Sequence, residues 1–146
     1  MIIHENRNIW IYHQSGNPIC ITTNGFIKKT GECVMGKGIA WQAKQRYPKL
    51  PFQLGEKIKC WHNHVYYFEQ YNLFSFPVKH NWWEKADKSL IISSLVELSE
   101  LLNELCFDEV YMTKPGCYNG KLDWETEVRP IMEAHNDDRI IICDIR

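Results

Sequence analysis

The segment of the 146-residue chain best suited to chemistry is a glycine-rich turn that runs directly into a helix-type sequence. It reads Val34, Met35, Gly36, Lys37, Gly38, Ile39 and Ala40. Glycine lacks a Cβ atom, so the backbone can pass close to a ligand. The first amides of a helix have no internal partners and can donate to an anion. The segment is thus suited to holding phosphate, although Gly-x-Gly turns also close ordinary loops, and alone it leaves both interpretations open.

A second segment places a lysine directly after an apolar run and beside two tryptophans. It reads Phe76, Pro77, Val78, Lys79, His80, Asn81, Trp82 and Trp83. The apolar run predicts a buried strand over Leu73–Val78, so that the amine of Lys79 would be partly shielded from water. Desolvation lowers the pKa of a lysine, and a neutral amine can attack a carbonyl-like carbon, whereas a solvated ammonium cannot. Lys79 is therefore a candidate catalytic residue.

A third segment is again a glycine loop that leads from a predicted strand into a predicted helix. It reads Lys114, Pro115, Gly116, Cys117, Tyr118, Asn119, Gly120, Lys121, Leu122, Asp123 and Trp124. Free backbone amides in such a loop can bind phosphate. Neither glycine loop fits the P-loop of nucleoside triphosphatases, which needs Gly-Lys-Ser/Thr after four spacer residues.

The elements that must position these segments alternate between strand and helix patterns. Short strands are predicted over Ile9–Tyr12, Pro18–Thr23, Lys57–Trp61, Val65–Glu69, Leu73–Val78, Glu109–Thr113 and Arg139–Cys143. Helices are predicted over Lys37–Tyr47, Ala86–Leu105 and Trp124–His135. The turn between Lys57–Trp61 and Val65–Glu69 would make them a hairpin. Asp123 is the expected N-cap of the last helix, in which Pro130 marks a kink or a later start.

This alternation predicts an α/β domain of three layers, with helices on both faces of a mixed, mostly parallel sheet. In such domains ligands bind beyond the carboxyl ends of strands. Three connections occupy such positions: Asn24–Lys37, Lys79–Lys85 and Lys114–Lys121. We therefore expect the glycine loops and Lys79 to face one site.

Length and composition predict one globular domain over residues 1–146, since hydrophobic residues make up 45% of the chain. No apolar run or basic leader predicts a membrane span or a signal peptide. The six cysteines are dispersed, which favours buried free thiols in a reducing cytoplasm. Residues 1–90 carry 12 Lys/Arg and 6 Asp/Glu, against 5 and 12 in residues 91–146. The surplus of positive charge in residues 1–90 either favours an anionic ligand at the first glycine loop or averages out when the two halves of the chain interleave in space.

Together the three segments resemble the macrodomain family of ADP-ribose-binding modules. The resemblance covers about Pro18 to Arg146 and is greatest to the branch that contains the DNA ADP-ribosyl glycohydrolase antitoxins of bacterial toxin–antitoxin pairs. Short phage and bacterial macrodomains that process ADP-ribose 1″-phosphate are similar as well. The resemblance implies the macrodomain fold and a site that binds ADP-ribose without a metal or cofactor.

The resemblance also implies roles for individual residues. Asn24 corresponds to the asparagine that holds the distal ribose, and Lys79 to the lysine credited with catalysis. The residues that would wrap the diphosphate and distal ribose are Val34, Met35, Gly36, Lys37, Gly38, Ile39, Gly116, Cys117, Tyr118, Asn119 and Gly120.

The chain also differs from the family in several places. Tyr118 and Lys121 replace common glycines, and Phe26–Glu32 makes a longer approach to the first loop. A related human terminal ADP-ribose glycohydrolase has a catalytic aspartate where this chain has Gly120. The aspartate that binds adenine in many macrodomains is not evident near Trp10–Asn17.

Other residues fit less specific alternatives. His62 and His64 could ligate a metal, but they lack an evident third ligand and are expected to be solvated. Cys117 could be a nucleophile, although macrodomains carry a cysteine here without that role. Trp82 and Trp83 could stack on a nucleobase, or pack so that one is buried and one exposed.

The sequence thus predicts a cytoplasmic macrodomain, expected to be monomeric, that hydrolyses an ADP-ribosyl adduct. Three substrate classes stay open: ADP-ribosylated DNA, ADP-ribosylated acidic side chains and ADP-ribose 1″-phosphate. One alternative is a non-catalytic reader that binds ADP-ribose or sequesters a related signalling nucleotide. Lys79 favours the enzyme, and the missing loop aspartate favours the reader. A nucleic-acid module that uses the basic half and the tryptophans is a further alternative.

Overall fold

The computed structural model describes residues 2–5 and 7–144, in which six strands alternate with helices. The strands are β1 (Ile2–Glu5), β2 (Ile19–Thr23), β3 (Tyr66–Phe68), β4 (Leu73–Pro77), β5 (Val110–Met112) and β6 (Ile140–Asp144). The α-helices are α1 (Ile9–Gln14), α2 (Gly38–Arg46), α3 (Leu50–Trp61), α4 (Lys88–Glu104) and α5 (Arg129–His135). Met1 and Arg146, the predicted limits of the domain, lie outside the described residues.

The strands form one mixed sheet in the order β1-β6-β5-β2-β4-β3. Strand β3 runs antiparallel to β4, and the other neighbouring pairs are parallel. The predicted mixed, mostly parallel sheet is confirmed. The order also makes β5, β2 and β4 neighbours, so the connections that follow these three parallel strands leave the same edge of the sheet.

Alternate residues of the strands face two hydrophobic cores, one on each side of the sheet. In β2, Ile19 and Ile21 pack with α1, α2 and α3, whereas Cys20 between them packs with α4 and α5. This period of two is what a strand requires when both of its faces are covered. The helices on both faces give the three layers that the sequence predicts.

Helix α4 forms where its apolar residues make a continuous stripe. Ile91, Leu95, Leu98 and Leu102 are fully buried against the sheet at the spacing of a helical face. The buried hydroxyl of Ser94 donates to the carbonyl of Pro77 over 2.7 Å. This bond ties the helix to the end of β4, two residues before Lys79.

The predicted strand over Ile9–Tyr12 is wrong, because these residues belong to helix α1. Asn8 caps the helix by accepting from the amide of Trp10 over 3.0 Å. Ile9 and Trp10 are buried side by side in one core, which a half-buried strand would not allow. Strand β1, at the edge of the sheet, is not predicted from the sequence.

The predicted strand over Lys57–Trp61 is also wrong, because it is the last turn of α3. Leu50, Leu54 and Ile58 are spaced four apart and form the buried face of that helix. The predicted hairpin is therefore absent, and His62 instead ends the helix with a φ of 72°. Of its two predicted strands, only the second exists, as β3.

The predicted helix over Trp124–His135 begins with a π-helical turn over Trp124–Val128, and α5 follows. Asp123 caps this turn as predicted, since its carboxylate accepts from the amide of Thr126 over 2.8 Å. Pro130 lies in the first turn of α5, where a missing amide costs no helical hydrogen bond. The proline therefore marks a later helix start rather than a kink.

The six cysteines are all free thiols. Cys20, Cys33, Cys117 and Cys143 are buried as predicted, but Cys60 and Cys106 are exposed. Across residues 2–5 and 7–144, no helix combines the length and the apolar character needed to cross a bilayer.

Candidate functional site

A cleft of about 710 Å³ opens at the carboxyl ends of β5, β2 and β4, a volume suited to a ligand of nucleotide size. The three connections predicted to share a site all contribute to its walls. Every predicted site residue lines the cleft: Asn24, Val34, Met35, Gly36, Lys37, Gly38, Ile39, Lys79, Gly116, Cys117, Tyr118, Asn119 and Gly120. Lys28 and Glu84 also line the cleft, and neither is among the predicted site residues.

The first glycine loop delivers the N-terminus of α2 to the cleft. The helix begins at Gly38, which has a φ of 59°, and the side chain of its N-cap residue, Lys37, makes no capping hydrogen bond. A Cβ atom built on Gly36 would meet no atom within 4 Å, so this glycine borders open space rather than a packed neighbour. The first amides of a helix have no partners within the helix, and beside an open backbone they suit an anionic group.

The second glycine loop is closed tightly on itself. The amide of Leu122 donates to the carbonyl of Gly116 over 3.0 Å, and that of Ala86 donates to Gly120 over 2.9 Å. A Cβ atom on Gly120 would collide with the carbonyl oxygen of Gly116. The loop therefore has no room for a side chain at Gly120, the position that the sequence resemblance matches to a catalytic aspartate.

The two glycine loops meet across the cleft. A Cβ atom on Gly38 would lie 2.9 Å from Nδ2 of Asn119, so α2 begins directly against the second loop. The amides of both loops thus border one continuous space.

Lys79 lies half-buried between the two loops. Its Nζ donates to the carbonyl of Asn119 over 3.1 Å and to that of Trp82 over 3.3 Å. Burial is the largest cause that lowers the pKa of Lys79, and the nearby positive charges of Lys121 and Lys37 lower it further. The two carbonyls fix the position of the amine, and the lowered pKa raises the fraction of the amine that is neutral. A nucleophilic lysine requires both.

Asn24 follows β2 and braces the first loop. Its Nδ2 donates to the carbonyl of Val34 over 2.9 Å, and its Oδ1 accepts from the amide of Phe26 over 2.9 Å. Both ends of the amide are therefore engaged with the loop backbone. If Asn24 also contacts a ligand, its side chain holds the ligand and braces the first loop at the same time.

Positive charge dominates the cleft. Five lysines line it: Lys28, Lys37, Lys79, Lys114 and Lys121. Among the described lining residues, Glu84 is the only acidic one, and its Oε1 accepts from the amide of Asn81 over 2.8 Å. Lys114 and Lys121 come from the acidic half of the sequence, so the charge surplus is assembled in space from both halves. The field suits a ligand with several negative charges.

Both tryptophans after Lys79 are exposed, Trp82 by 50% and Trp83 by 60%. The expectation that one of them is buried is therefore wrong. Trp83 packs edge-on against Phe26, which also lines the cleft, with ring centroids 5.4 Å apart.

The remaining candidates do not form a second site. His64 pairs with Glu97, with Nδ1 and Oε2 2.7 Å apart, and His62 is exposed at the end of α3. Within the described residues, no three His, Cys, Asp or Glu side chains come together as metal ligands. The buried thiol of Cys117 lies 3.6 Å from the carbonyl of Pro115.

Asp87 joins the connection after Lys79 to the start of α4. Its carboxylate accepts from the amide and the hydroxyl of Ser89 over 2.9 and 2.6 Å, and lies 2.9 Å from Nε2 of His80. These hydrogen bonds lower the pKa of Asp87 to about 2, and the bond from the Ser89 hydroxyl has the largest effect. The carboxylate caps the helix and also holds the loop beside the cleft.

Replacing Asp87 by alanine should lower the free energy of unfolding by about 1 kcal/mol at neutral pH, the usual cost of a lost N-cap. Because folding depresses the pKa of the carboxyl, its contribution is complete above the unfolded value of ~3.9 and is lost as pH falls toward 2. Urea denaturation at pH 7 and pH 3 measures both effects. Asp87→Asn, which can still cap, is the control. A deficit of equal size at both pH values would contradict this account.

Comparison with known proteins agrees with this geometry, although no family model matches the chain. A DNA ADP-ribosyl glycohydrolase of Mycobacterium tuberculosis is 30% identical over 85% of this chain. The macrodomain of Mycobacterium tuberculosis DarG superimposes with a TM-score of 0.80 at 24% identity, covering 100% of this chain and 99% of that one. The chain is a macrodomain.

This macrodomain is related to the mycobacterial DNA ADP-ribosyl glycohydrolase but spans only 38% of its length. The macrodomain fold also matches Thermosipho africanus DarTG, whose structure was determined in complex with ADP-ribose. That match has a TM-score of 0.76 at 18% identity and covers 98% of this chain and 41% of the other. The macrodomain fold expected from the three sequence motifs is confirmed.

Proposed function

We propose that this macrodomain binds ADP-ribose and removes it from an adduct by hydrolysis. The observation that carries the proposal is the half-buried amine of Lys79, held between two glycine loops at the carboxyl edge of the sheet. ADP-ribose combines a diphosphate with two riboses, and the cleft combines backbone amides, five lysines and enough volume for such a ligand. The relationship to a DNA ADP-ribosyl glycohydrolase supports the same reaction class.

In the proposed mechanism, the amides of both loops hold the diphosphate, which directs the anomeric carbon of the distal ribose toward Lys79. The ring opens as the bond from the anomeric carbon to the ring oxygen breaks: the adduct atom attached to that carbon supplies the electron pair for a double bond to it, and the ring oxygen takes a proton from water. The neutral amine of Lys79 then adds to the carbon. The bond to the adduct breaks as the leaving group keeps the bonding electron pair and takes the proton that the lysine nitrogen loses, which leaves a lysine–sugar iminium. Water then hydrolyses the lysine–sugar iminium and regenerates the free amine with ADP-ribose. Alternatively, the ammonium form of Lys79 stabilises charge at the ring oxygen, and water attacks directly.

A reader of ADP-ribose is the second candidate, and Gly120 is the observation that favours it. This position cannot carry the loop aspartate of a two-residue mechanism without displacing Gly116. Glu84, the acidic residue of the cleft, is engaged with the amide of Asn81. With Gly120 in place of that aspartate, and with Glu84 as the only acidic residue among the described ones that line the cleft, the site could hold ADP-ribose without cleaving its adducts.

A substrate panel decides between the two functions. Purified protein is incubated with ADP-ribosylated oligonucleotide, peptide ADP-ribosylated on acidic side chains, and ADP-ribose 1″-phosphate, each with and without EDTA. We expect release of ADP-ribose from at least one substrate, unchanged by EDTA, because the diphosphate is held by amides rather than by a cation. Tight binding of ADP-ribose without any turnover would establish the reader instead.

Asn24→Ala tests the position of the distal ribose. We propose that Asn24 contacts this sugar, so the substitution should weaken binding of ADP-ribose by about tenfold or more, the effect of one or two lost hydrogen bonds. Binding of AMP, which lacks the distal ribose, should change much less. Calorimetry with both ligands measures the difference, and thermal unfolding controls for the loss of loop bracing. Equal weakening of both ligands would assign Asn24 to bracing alone.

A further inference from the structure

The backbone that carries Lys79 is held from outside the cleft by two segments that are distant in the sequence. Strand β4 ends at Pro77, two residues before Lys79. Beyond that end, the carbonyl of Lys79 accepts from Nδ2 of Asn63 over 3.0 Å, and the carbonyl of His80 accepts from the amide of Gly25 over 3.0 Å. Neither Asn63 nor Gly25 is among the described residues that line the cleft. The two carbonyls are therefore fixed without contact to a ligand.

Gly25 packs directly against the side-chain amide of Asn63. A Cβ atom built on Gly25 would lie 2.9 Å from both Cγ and Nδ2 of Asn63 and 3.1 Å from the carbonyl oxygen of His80. Such close packing leaves the amide little room to move. Gly25 also directly follows Asn24, the residue proposed to contact the distal ribose. One stretch of backbone thus joins the proposed ribose contact to the support of Lys79.

Asn63 reaches this place through a strained turn at the end of α3. His62 has a φ of 72° and a ψ of −168°, a backbone conformation that glycine adopts and other residues rarely do. Its amide donates to the carbonyl of Ile58 over 2.8 Å, and its carbonyl accepts from the hydroxyl of Tyr66 over 2.7 Å. Strain of this kind persists only where the surrounding structure maintains it, and it is most frequent at functional sites.

The amine of Lys79 can keep its place only if the backbone below it is fixed, because it lies at the end of a flexible four-carbon stem. Its Nζ donates to the carbonyls of Asn119 and Trp82, and Trp82 belongs to the same connection as Lys79. A shift of that connection would therefore displace the amine together with one of its partners. Misplacement by about 1 Å, caused by a change away from the chemistry, can lower a rate by about a hundredfold.

We propose that Asn63 is a positioning residue for Lys79: its side-chain amide, together with the backbone amide of Gly25, fixes the connection after β4 so that the amine of Lys79 meets the anomeric carbon of the bound sugar. Asn63 acts through the carbonyl of Lys79 rather than by contact with the sugar. The catalytic part of this inference rests on the proposed function, whereas the position of the amine can be measured without any turnover.

The test compares Asn63→Ala with Asn17→Ala, which loses a hydrogen bond of the same kind away from the cleft. Nδ2 of Asn17 donates to the carbonyl of Tyr12 over 3.1 Å, and Asn17 is partly buried, as Asn63 is. For whichever substrate of the panel is cleaved, Asn63→Ala should lower kcat by about tenfold to a hundredfold. KM and the affinity for ADP-ribose should stay within about threefold, and Asn17→Ala should change kcat by less than about twofold. Thermal unfolding verifies that the two variants lose similar stability.

Titration of Lys79 tests the position of its amine in the absence of substrate. Carbon-13 NMR follows the carbon next to the amine, which is assigned by its absence from Lys79→Ala. Burial is the largest cause that lowers the pKa of Lys79, so an amine that moves into water should titrate closer to an ordinary lysine. Both asparagine variants replace an uncharged side chain by another, so every charge around the cleft is kept. We expect a raised pKa of Lys79 in Asn63→Ala and an unchanged one in Asn17→Ala, whether or not the wild type cleaves any substrate.

An unchanged pKa of Lys79 in folded Asn63→Ala would overturn the role of Asn63, whatever the rate. If the wild type is active, a kcat of Asn63→Ala equal to that of Asn17→Ala would overturn it as well. So would a loss of ADP-ribose affinity as large as the loss of kcat, because Asn63 would then support the whole site rather than the amine. Asn63→Ser, whose hydroxyl is one atom too short to reach the carbonyl of Lys79, takes the place of the alanine variant if that one does not fold.

Discussion

Lys79→Ala is expected to lower turnover of the cleaved substrate by roughly two to four orders of magnitude, while the affinity for ADP-ribose stays within about tenfold, or ~1.4 kcal/mol. The reason is that the amine acts on the transition state, whereas the amides of the two loops hold the diphosphate in the ground state. Single-turnover kinetics and calorimetry on the same preparation measure the two quantities. An affinity loss as large as the loss of turnover would make Lys79 a binding residue.

Lys79→Arg separates the covalent route from a purely electrostatic one. A guanidinium stays protonated and cannot act as a nucleophile, so the covalent route predicts an inactive variant. If the arginine variant keeps substantial activity, positive charge alone is sufficient and no lysine–sugar intermediate forms. Trapping with borohydride, which reduces an iminium to a stable amine, gives an independent readout of the wild type.

The pH dependence of the rate provides a further check of the lysine. The covalent route needs the neutral amine, so kcat should rise with pH until Lys79 has lost its proton. Because the pKa of Lys79 is lowered, this rise should lie at lower pH than for an ordinary lysine. Lys121→Ala removes one of the charges that disfavour the ammonium and should therefore move the rise to higher pH. A rate that falls as pH rises through this range would favour the ammonium form.

The position of the site could be predicted from the sequence, because in a parallel sheet the order of strands and connections along the chain determines which connections meet. Each connection that follows a parallel strand leaves the same edge of the sheet. Recognising the strands that end at Thr23, Pro77 and Met112 was therefore sufficient to bring the two glycine loops and Lys79 together. The chemical roles of these residues stay predictions, since a location in the cleft does not establish a contact with a ligand.

The errors arose where tertiary contacts override local pattern. Ile9–Tyr12 is rich in β-branched and aromatic residues, which favour strands, but the cap from Asn8 and the burial of adjacent residues make it helical. Lys57–Trp61 alternates polar and apolar residues over a span too short to separate a period of 2 from one of 3.6. The helical face becomes evident only when the segment is extended back to Leu50, because Leu50, Leu54 and Ile58 then share one side of the helix.

The features of the cleft that sequence could not provide depend on distances between separate segments. Trp83 packs against Phe26, 57 positions earlier in the chain. The lack of space at Gly120 is set by how closely the carbonyl of Gly116 approaches it. Neither distance follows from the local sequence, and the second bears on the mechanism.

Gly36→Val is expected to abolish binding of ADP-ribose, weakening it by at least about a hundredfold, or ~2.7 kcal/mol, and to leave the fold intact. A Cβ atom at this position meets no protein atom within 4 Å, and Gly36 is not among the residues with positive φ. Neither a contact at Cβ nor backbone strain therefore opposes a side chain at this position. The same open space is where the proposed diphosphate would lie, so the isopropyl group would displace it from the amides of α2.

The matched control is Gly120→Ala in the second loop. A single methyl group there would collide with the carbonyl oxygen of Gly116, so this variant should lose stability rather than binding alone. Thermal unfolding and calorimetry on both variants separate the two causes. If Gly36→Val unfolds instead, the glycine serves the turn. If that variant stays folded and binds ADP-ribose as tightly as the wild type, the first loop does not hold the diphosphate and the proposed orientation of ADP-ribose toward Lys79 loses its basis.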